Sequence, residues 1–172
     1  MIDNRALADM TYGLFIVGSK DGEKFNAMIA NSVFQVTAEP PKIAIALNKQ
    51  SLTHDYIEKS GLFSIQAIAQ GADMLFLGNF GFRTGKNYDK FAKVSYKLSS
   101  QGLPIVLDNT LSWMVVKVNQ TIDLGTHTMF IGPVEETQII KEGKPLTYDY
   151  YQMVLRGKTP RGATTFKENK EK

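Results

Sequence analysis

The chain has 172 residues, 43% of them hydrophobic and 22% charged, with a net charge of +3 and no cysteine. That length and balance suit one globular domain with a real core. The missing cysteine excludes disulfides, thiolate metal sites and iron–sulfur clusters, so any redox chemistry would need a bound organic cofactor.

The opening "MIDNRALADMTYGLF" has no basic segment leading into an apolar core, and no apolar run in the chain is long enough to span a bilayer, so a cytoplasmic protein is expected. Residues 12–36 read as a hairpin, with "YGLFIVGS" as the outgoing strand, "KDGEK" as an Asp-Gly turn and "FNAMIANSVFQV" as the return. Pro40 and Pro41 interrupt the chain, after which "KIAIALN" alternates with the period of a strand. "SLTHDYIEKSG" follows as a helix, with Ser51 or Thr53 as its cap and Gly61 where a left-handed C-terminal residue belongs. "LFSIQAI" is a further strand and "GADMLFLGNFG" a short helix.

The polar segment "FRTGKNYDKFAKVSY" is expected to turn into a short helix around Tyr88 to Phe91. Beyond the turn "SSQGLP", the stretches "LSWMVVKVNQTID" and "HTMFIGPVEETQII", joined by "LGT", make a second antiparallel hairpin, and "PLTYDYYQMVL" reads as a final strand. Strands arriving in hairpins with only short helices between them predict an all-β antiparallel barrel rather than a doubly wound sheet. Residues 1–160 form the expected domain and residues 161–172 a C-terminal tail, whose charged end "KENKEK" reads as disordered. The positive balance, spread over that end and scattered lysines, reads as a solvated surface; the long strands lack the interleaved basic and aromatic residues of a nucleic-acid face.

Several chemistries find no motif. His54 and His127 lie far apart with no HxxxH or HExxH spacing, so no metal is expected, and no GxSxG, GxxxxGK[ST] or GxGxxG occurs. Two features remain. The return strand carries small and polar residues, Asn26, Ala27, Ala30, Asn31 and Ser32, where a core strand favours branched apolar ones; the space admits either closely packed protein or a flat ligand. "LNKQSLTHDY" places the Ser51 and Thr53 hydroxyls at a helix start, which suits either plain capping or an oxyanion such as phosphate. Arg83 and Lys86 around Gly85 make either a solvated loop or a source of positive charge for the same anion.

The ordered set "TYGLFIVGSKDGEKFNAMIANSVFQVTAEPPKIAIALNKQSLTHDYIEKSGLFSI", "FGFRTGKNYDKF", "HTMFIGPV" and "PLTYDYY" resembles the flavin reductase-like family, the FMN-binding split β-barrels, over nearly the whole chain. Within it the chain is most similar to the flavin domain of high-molecular-weight rubredoxins. The resemblance implies a Greek-key split barrel, bound FMN, NADH or NADPH as electron donor, and a homodimer with flavin near the subunit interface. Without the CxxC pairs of a rubredoxin, an acceptor such as a rubredoxin or another redox protein would be a separate molecule; free flavin is a further acceptor.

By the same resemblance, Asn26, Ala27, Met28, Ile29, Ala30, Asn31 and Ser32 would run along the flavin ring. Asn48, Lys49, Gln50, Ser51 and Thr53 would form the ribityl and phosphate segment, with Arg83, Gly85 and Lys86 close by. Where the family often has "SGR" this chain has "TGK", replacing a bidentate guanidinium with the point charge of Lys86. His127 would stand near the flavin or nicotinamide as the one residue with a catalytic role. One of the aromatics Tyr148, Tyr150, Tyr151 and Phe166 is expected to cover the ring, with Tyr151 counted among the cofactor-binding residues; the alternative use of this cluster is core or dimer interface. The competing function is a non-catalytic flavin- or haem-binding module.

Overall fold

The computed structural model describes residues 3–166. Its strands are β1 (Phe15–Asp21), β2 (Lys24–Ala30), β3 (Val33–Ala38), β4 (Pro41–Asn48), β5 (Leu62–Ile68), β6 (Tyr96–Leu98), β7 (Pro104–Val106), β8 (Thr110–Lys117), β9 (Gln120–Asp123) and β10 (His127–Ile139). The helices are α1 (Leu52–Ser60), α2 (Met74–Gly81) and α3 (Tyr148–Met153), and a 3-10 turn spans Asn4–Asp9. No helix among the described residues is long and apolar enough to cross a membrane.

The main sheet is antiparallel throughout, in the order β2-β1-β5-β8-β10-β4-β3, with β9 also on β10. β10 runs through both halves: residues 127–133 pair with β4, and Val134 and residues 136–139 pair with β8 on either side of a bulge at Glu135. Close approach explains the glycine at the transition, since a Cβ on Gly132 would lie 1.9 Å from the Lys117 carbonyl oxygen. The result is the all-β split barrel expected; among the described residues its strand order ends at β2 and β3, which are adjacent in the chain and joined through Asn31 and Ser32.

Both faces of the first half are covered. Neighbouring Ile16 and Val17 on β1 point to opposite sides and both are fully buried. Val17 joins Ile45, Leu47, Phe63, Ile65, Val116 and Phe130 inside the barrel. Ile16 joins Ala27, Ile68, Phe76, Leu77, Phe80 and Phe91 beneath α2.

Three local expectations are corrected. The first hairpin ends at Ala30, because the chain leaves β1 at Asn31 and Ser32 and residues 33–38 pair with β4. Tyr88 to Phe91 form no helix, with residues 88–89 irregular and residues 90–93 a turn: the Asp89 carboxylate accepts the Phe91 N–H at 2.9 Å, a local bond that competes with helix. The expected last strand is α3, started by Thr147, whose Oγ1 accepts the Tyr150 N–H at 3.2 Å, with Asp149 in the first turn. Its tyrosines raise β propensity, but the cap and the packing of one helical face prevail. The second hairpin forms as predicted, broken into β8 and β9 at residues 118–119.

Candidate functional site

Where the two sheet edges part, a cavity of about 260 Å³ opens. One wall is the end of β2 and the corner beyond it: Met28, Ile29, Ala30, Asn31 and Ser32. The corner is held to β4 by the Ser32 hydroxyl donating to the Ala46 carbonyl at 2.8 Å and the Ala46 N–H donating to the Ser32 carbonyl at 3.0 Å. β2 pairs with β1 alone, so its other edge takes no ladder partner. The small residues of β2 thus serve two purposes. Ala27 is buried in the core against α2, and Ala30 opens onto the cavity.

The second wall is the β4–α1 corner, which contributes Asn48, Gln50 and Ser51. Its turn is tight: the Ser51 N–H donates to the Asn48 carbonyl at 3.1 Å and the Gln50 N–H to Asn48 Oδ1 at 2.9 Å. Ser51 caps α1, its Oγ accepting the His54 N–H at 3.1 Å, and Gly61 ends the helix at φ 66°. The first turn of such a helix leaves N–H groups without intrahelical acceptors. Lys49 points elsewhere, its Nζ 2.6 Å from Asp123; that bond and the Gly125 N–H hold the Asp123 carboxyl below the usual carboxylate range.

Leu14, Leu77, Gly81 and Phe82 form the apolar far side, and Tyr148 and Tyr151 of α3 close one end. The two rings share a helical face, stacked with centroids 6.2 Å apart, which replaces the alternation expected of a strand; Tyr150 is not in the lining. Burial raises the Tyr151 phenol, and the nearby Tyr148 adds to this; its hydroxyl donates to the Lys158 carbonyl at 2.8 Å. Residues 158–164 supply the remaining wall, so residues 161–166, assigned by sequence to the tail, return onto the domain; the "KENKEK" end lies outside the described residues.

Of the residues singled out from sequence, the cavity gathers Met28, Ile29, Ala30, Asn31, Ser32, Asn48, Gln50, Ser51 and Tyr151. Asn26, Ala27, Lys49, Thr53, Arg83, Gly85, Lys86 and His127 lie outside its lining. Asn26 donates to Thr53 Oγ1 at 2.9 Å, a buried bond tying β2 to α1. Gly85 packs on that asparagine, where a Cβ would lie 2.0 Å from Oδ1. Arg83 sits over the Tyr88 ring at 4.1 Å, and Lys86 is exposed. His127 pairs across β4 and β10 with Asn48; its Nδ1 meets Thr126 Oγ1 at 2.8 Å, while Nε2 is shielded and has no partner.

Sequence reasoning missed Leu14, Leu77, Gly81, Phe82 and the 158–164 segment, none of which carries a local motif. It also missed Lys90, only 4% exposed, whose Nζ donates to the Ala27 carbonyl at 2.8 Å behind the cavity wall. Burial lowers this ammonium to about 8. The lining combines apolar faces with amide and hydroxyl groups and Lys158, and among the described residues it holds no carboxylate, imidazole or thiol.

Comparison with known proteins assigns this architecture. The family model described as "Flavin reductase like domain" matches residues 7–154, and the chain belongs to that family. It is 46% identical over 171 residues to a high molecular weight rubredoxin of Moorella thermoacetica, covering 99% of this chain and 75% of that protein. It is 38% identical over 169 residues to a ferric-chelate reductase (NAD(P)H) of Archaeoglobus fulgidus, covering 98% of this chain and 100% of that protein. Among solved structures, a nitrilotriacetate monooxygenase component B homologue from Mycobacterium thermoresistibile superposes with a TM-score of 0.73 at 25% identity, over 84% of this chain and 79% of the other.

Lys90 yields a pH-dependent stability. The folded protein releases this proton at about 8 and the unfolded chain near 10.5, so between these values the unfolded state binds more protons and stability rises with pH. Urea midpoints measured at about pH 7.5 and about pH 9.5 should rise in the wild type relative to Lys90→Met, which lacks this limb. Identical trends in the two proteins would remove Lys90 as the source.

Proposed function

We propose that the chain binds FMN in the seam cavity and carries electrons from NADH or NADPH to a separate acceptor: a rubredoxin, another redox protein or free flavin. The observation that carries this reading is the lining itself. Apolar faces stand there beside amide and hydroxyl groups and Lys158, and the described lining holds no carboxylate, imidazole or thiol, which suits holding a cofactor that brings its own chemistry. Bound flavin would supply two-electron acceptance from a nicotinamide and onward transfer in one or two electrons.

The protein residues then bind and orient. Met28, Ile29, Leu77 and Phe82 offer apolar surface to a flat ring, and the unpaired edge of β2 with Asn31 and Ser32 offers donors and acceptors to its polar rim. Asn48, Gln50 and Ser51 take the ribityl phosphate, aided by the N–H groups opening α1. Thr53 is assigned a structural part through Asn26, and Arg83, Gly85 and Lys86 shape or flank the loop behind β2. His127, paired across the strands with the lining residue Asn48, is given the contact to the nicotinamide donor.

A homodimer belongs to the same reading. β3 is a free edge whose Phe34 and Val36 stand 51% and 46% exposed, which suits burial against a second copy. Sedimentation at micromolar concentration should return twice the chain mass; a monomer there removes the dimer.

Two further outcomes test the binding roles. Ser51→Ala should weaken FMN roughly tenfold more than riboflavin, together with about 1 kcal/mol of lost capping, whereas Thr53→Val should affect both flavins alike. Titration of flavin fluorescence reads this directly, and equal losses for Ser51→Ala would dismiss the phosphate corner. His127→Ala should slow anaerobic flavin reduction by NADH or NADPH by about tenfold while FMN affinity changes by less than about threefold. Stopped-flow traces that match the wild type would return His127 to a structural part.

A further inference from the structure

Residues 157–166 enter no β-ladder and no helix, yet they form one side of the cavity. The segment leaves α3 at Gly157, which lies flat on the Tyr151 ring so closely that a Cβ would meet it at 2.0 Å. It crosses to the opposite corner, where a Cβ on Gly162 would come within 3.9 Å of Asn48 Nδ2. The far end is fastened by threonines. Thr164 Oγ1 donates to Asn31 Oδ1 at 2.9 Å and lies 3.2 Å from Ser32 Oγ, Asn31 Nδ2 donates to Thr165 Oγ1 at 3.0 Å, and Thr165 Oγ1 donates to the Tyr148 hydroxyl at 3.1 Å. Tyr148 also bonds Thr159. The strap is therefore tied by side chains at the Asn31 corner and at α3, and lies against the corner assigned to the phosphate between them. It begins after residue 154, where the match to the family domain ends.

We infer that this strap selects the flavin by size, admitting the mononucleotide and excluding the dinucleotide FAD. The inference rests on the flavin reading given above. The strap forms one wall of the cavity of about 260 Å³ and lies beside the corner assigned to the phosphate. On this inference an adenylate attached to the phosphate meets the strap near Gly162, where a Cβ would stand at ordinary contact distance, 3.9 Å, from Asn48 Nδ2, and enters by lifting the strap. FMN binds beneath the closed strap and is retained by it. FAD binding breaks the threonine bonds to Asn31, Ser32 and Tyr148.

The test uses the full chain with the threonine pair replaced by an isosteric residue, Thr164→Val with Thr165→Val. In the wild type FMN should bind at least about tenfold more tightly than FAD; in the variant that ratio should fall toward one, and FMN dissociation should quicken by about tenfold. Folding of the variant is checked by its melting transition, and a second measurement needs no substitution. Trypsin cleavage after Arg161, an exposed strap residue, should be slowed in the wild type by saturating FMN and left fast or quickened by saturating FAD. Equal protection by the two flavins, or an unchanged FMN to FAD ratio in a folded variant, overturns the size selection while leaving flavin binding intact. A wild-type chain that binds neither flavin overturns the flavin reading, and the strap inference with it.

Discussion

The architecture depends on one strand being shared. β10 bonds β4 along residues 127–133 and β8 along residues 134–139, and a strand that serves both halves of a sheet must turn where it passes between them. Gly132, pressed against the Lys117 carbonyl, and the bulge at Glu135 provide that turn. With the halves joined through β10, the strand order ends at β2 and β3. Consecutive in the chain but unpaired with each other, they diverge from Asn31 and Ser32, and the divergence is the cavity. A site at this seam follows from how the barrel closes and needs no insertion to create it.

The same sharing makes the α1 corner rigid although it lies at the surface. Two buried side chains in the first turn reach opposite halves of the sheet: Thr53 accepts from Asn26 on β2, and His54 Nε2 meets Thr128 Oγ1 on β10 at 2.8 Å. Ser51 is thereby fixed relative to both cavity walls before a ligand arrives, which lowers the ordering cost of binding there. His54 is thus a structural histidine, adjacent to the β10 residues that carry His127 but turned to the interior.

Local signals carried most of the fold. The Asp-Gly turn before β2, the Ser51 cap and the left-handed Gly61 each act within a few residues, and each was legible. So was the long second hairpin, whose period-two pattern outweighs its interruption at residues 118–119. α3 was misread because Tyr148, Tyr150 and Tyr151 favour strands, while the deciding cap is a single threonine. The site was legible in part. The resemblance pointed to residues 26–32, 48–51 and Thr53, of which 28–32, Asn48, Gln50 and Ser51 line the cavity, and the purpose of each small residue depended on what packed behind it: Lys90 and α2 for Ala27, open space for Ala30. The strap was beyond local reasoning, since Asn31 and Thr165 are 134 positions apart and meet through side-chain bonds that leave no periodic trace.

The absence of carboxylate, imidazole and thiol from the lining has an evolutionary consequence. Where a protein supplies its own nucleophile or proton donor, drift around that group is punished by loss of the reaction. On the reading proposed above, the residues that would hold a ring and those that would meet another molecule at the rim are different residues, on elements as unlike as a β-edge and an irregular strap. Such a scaffold can be handed from one recipient of electrons to another by altering its rim alone, with the interior left untouched, and descendants with quite different partners can keep the same hollow at the same seam.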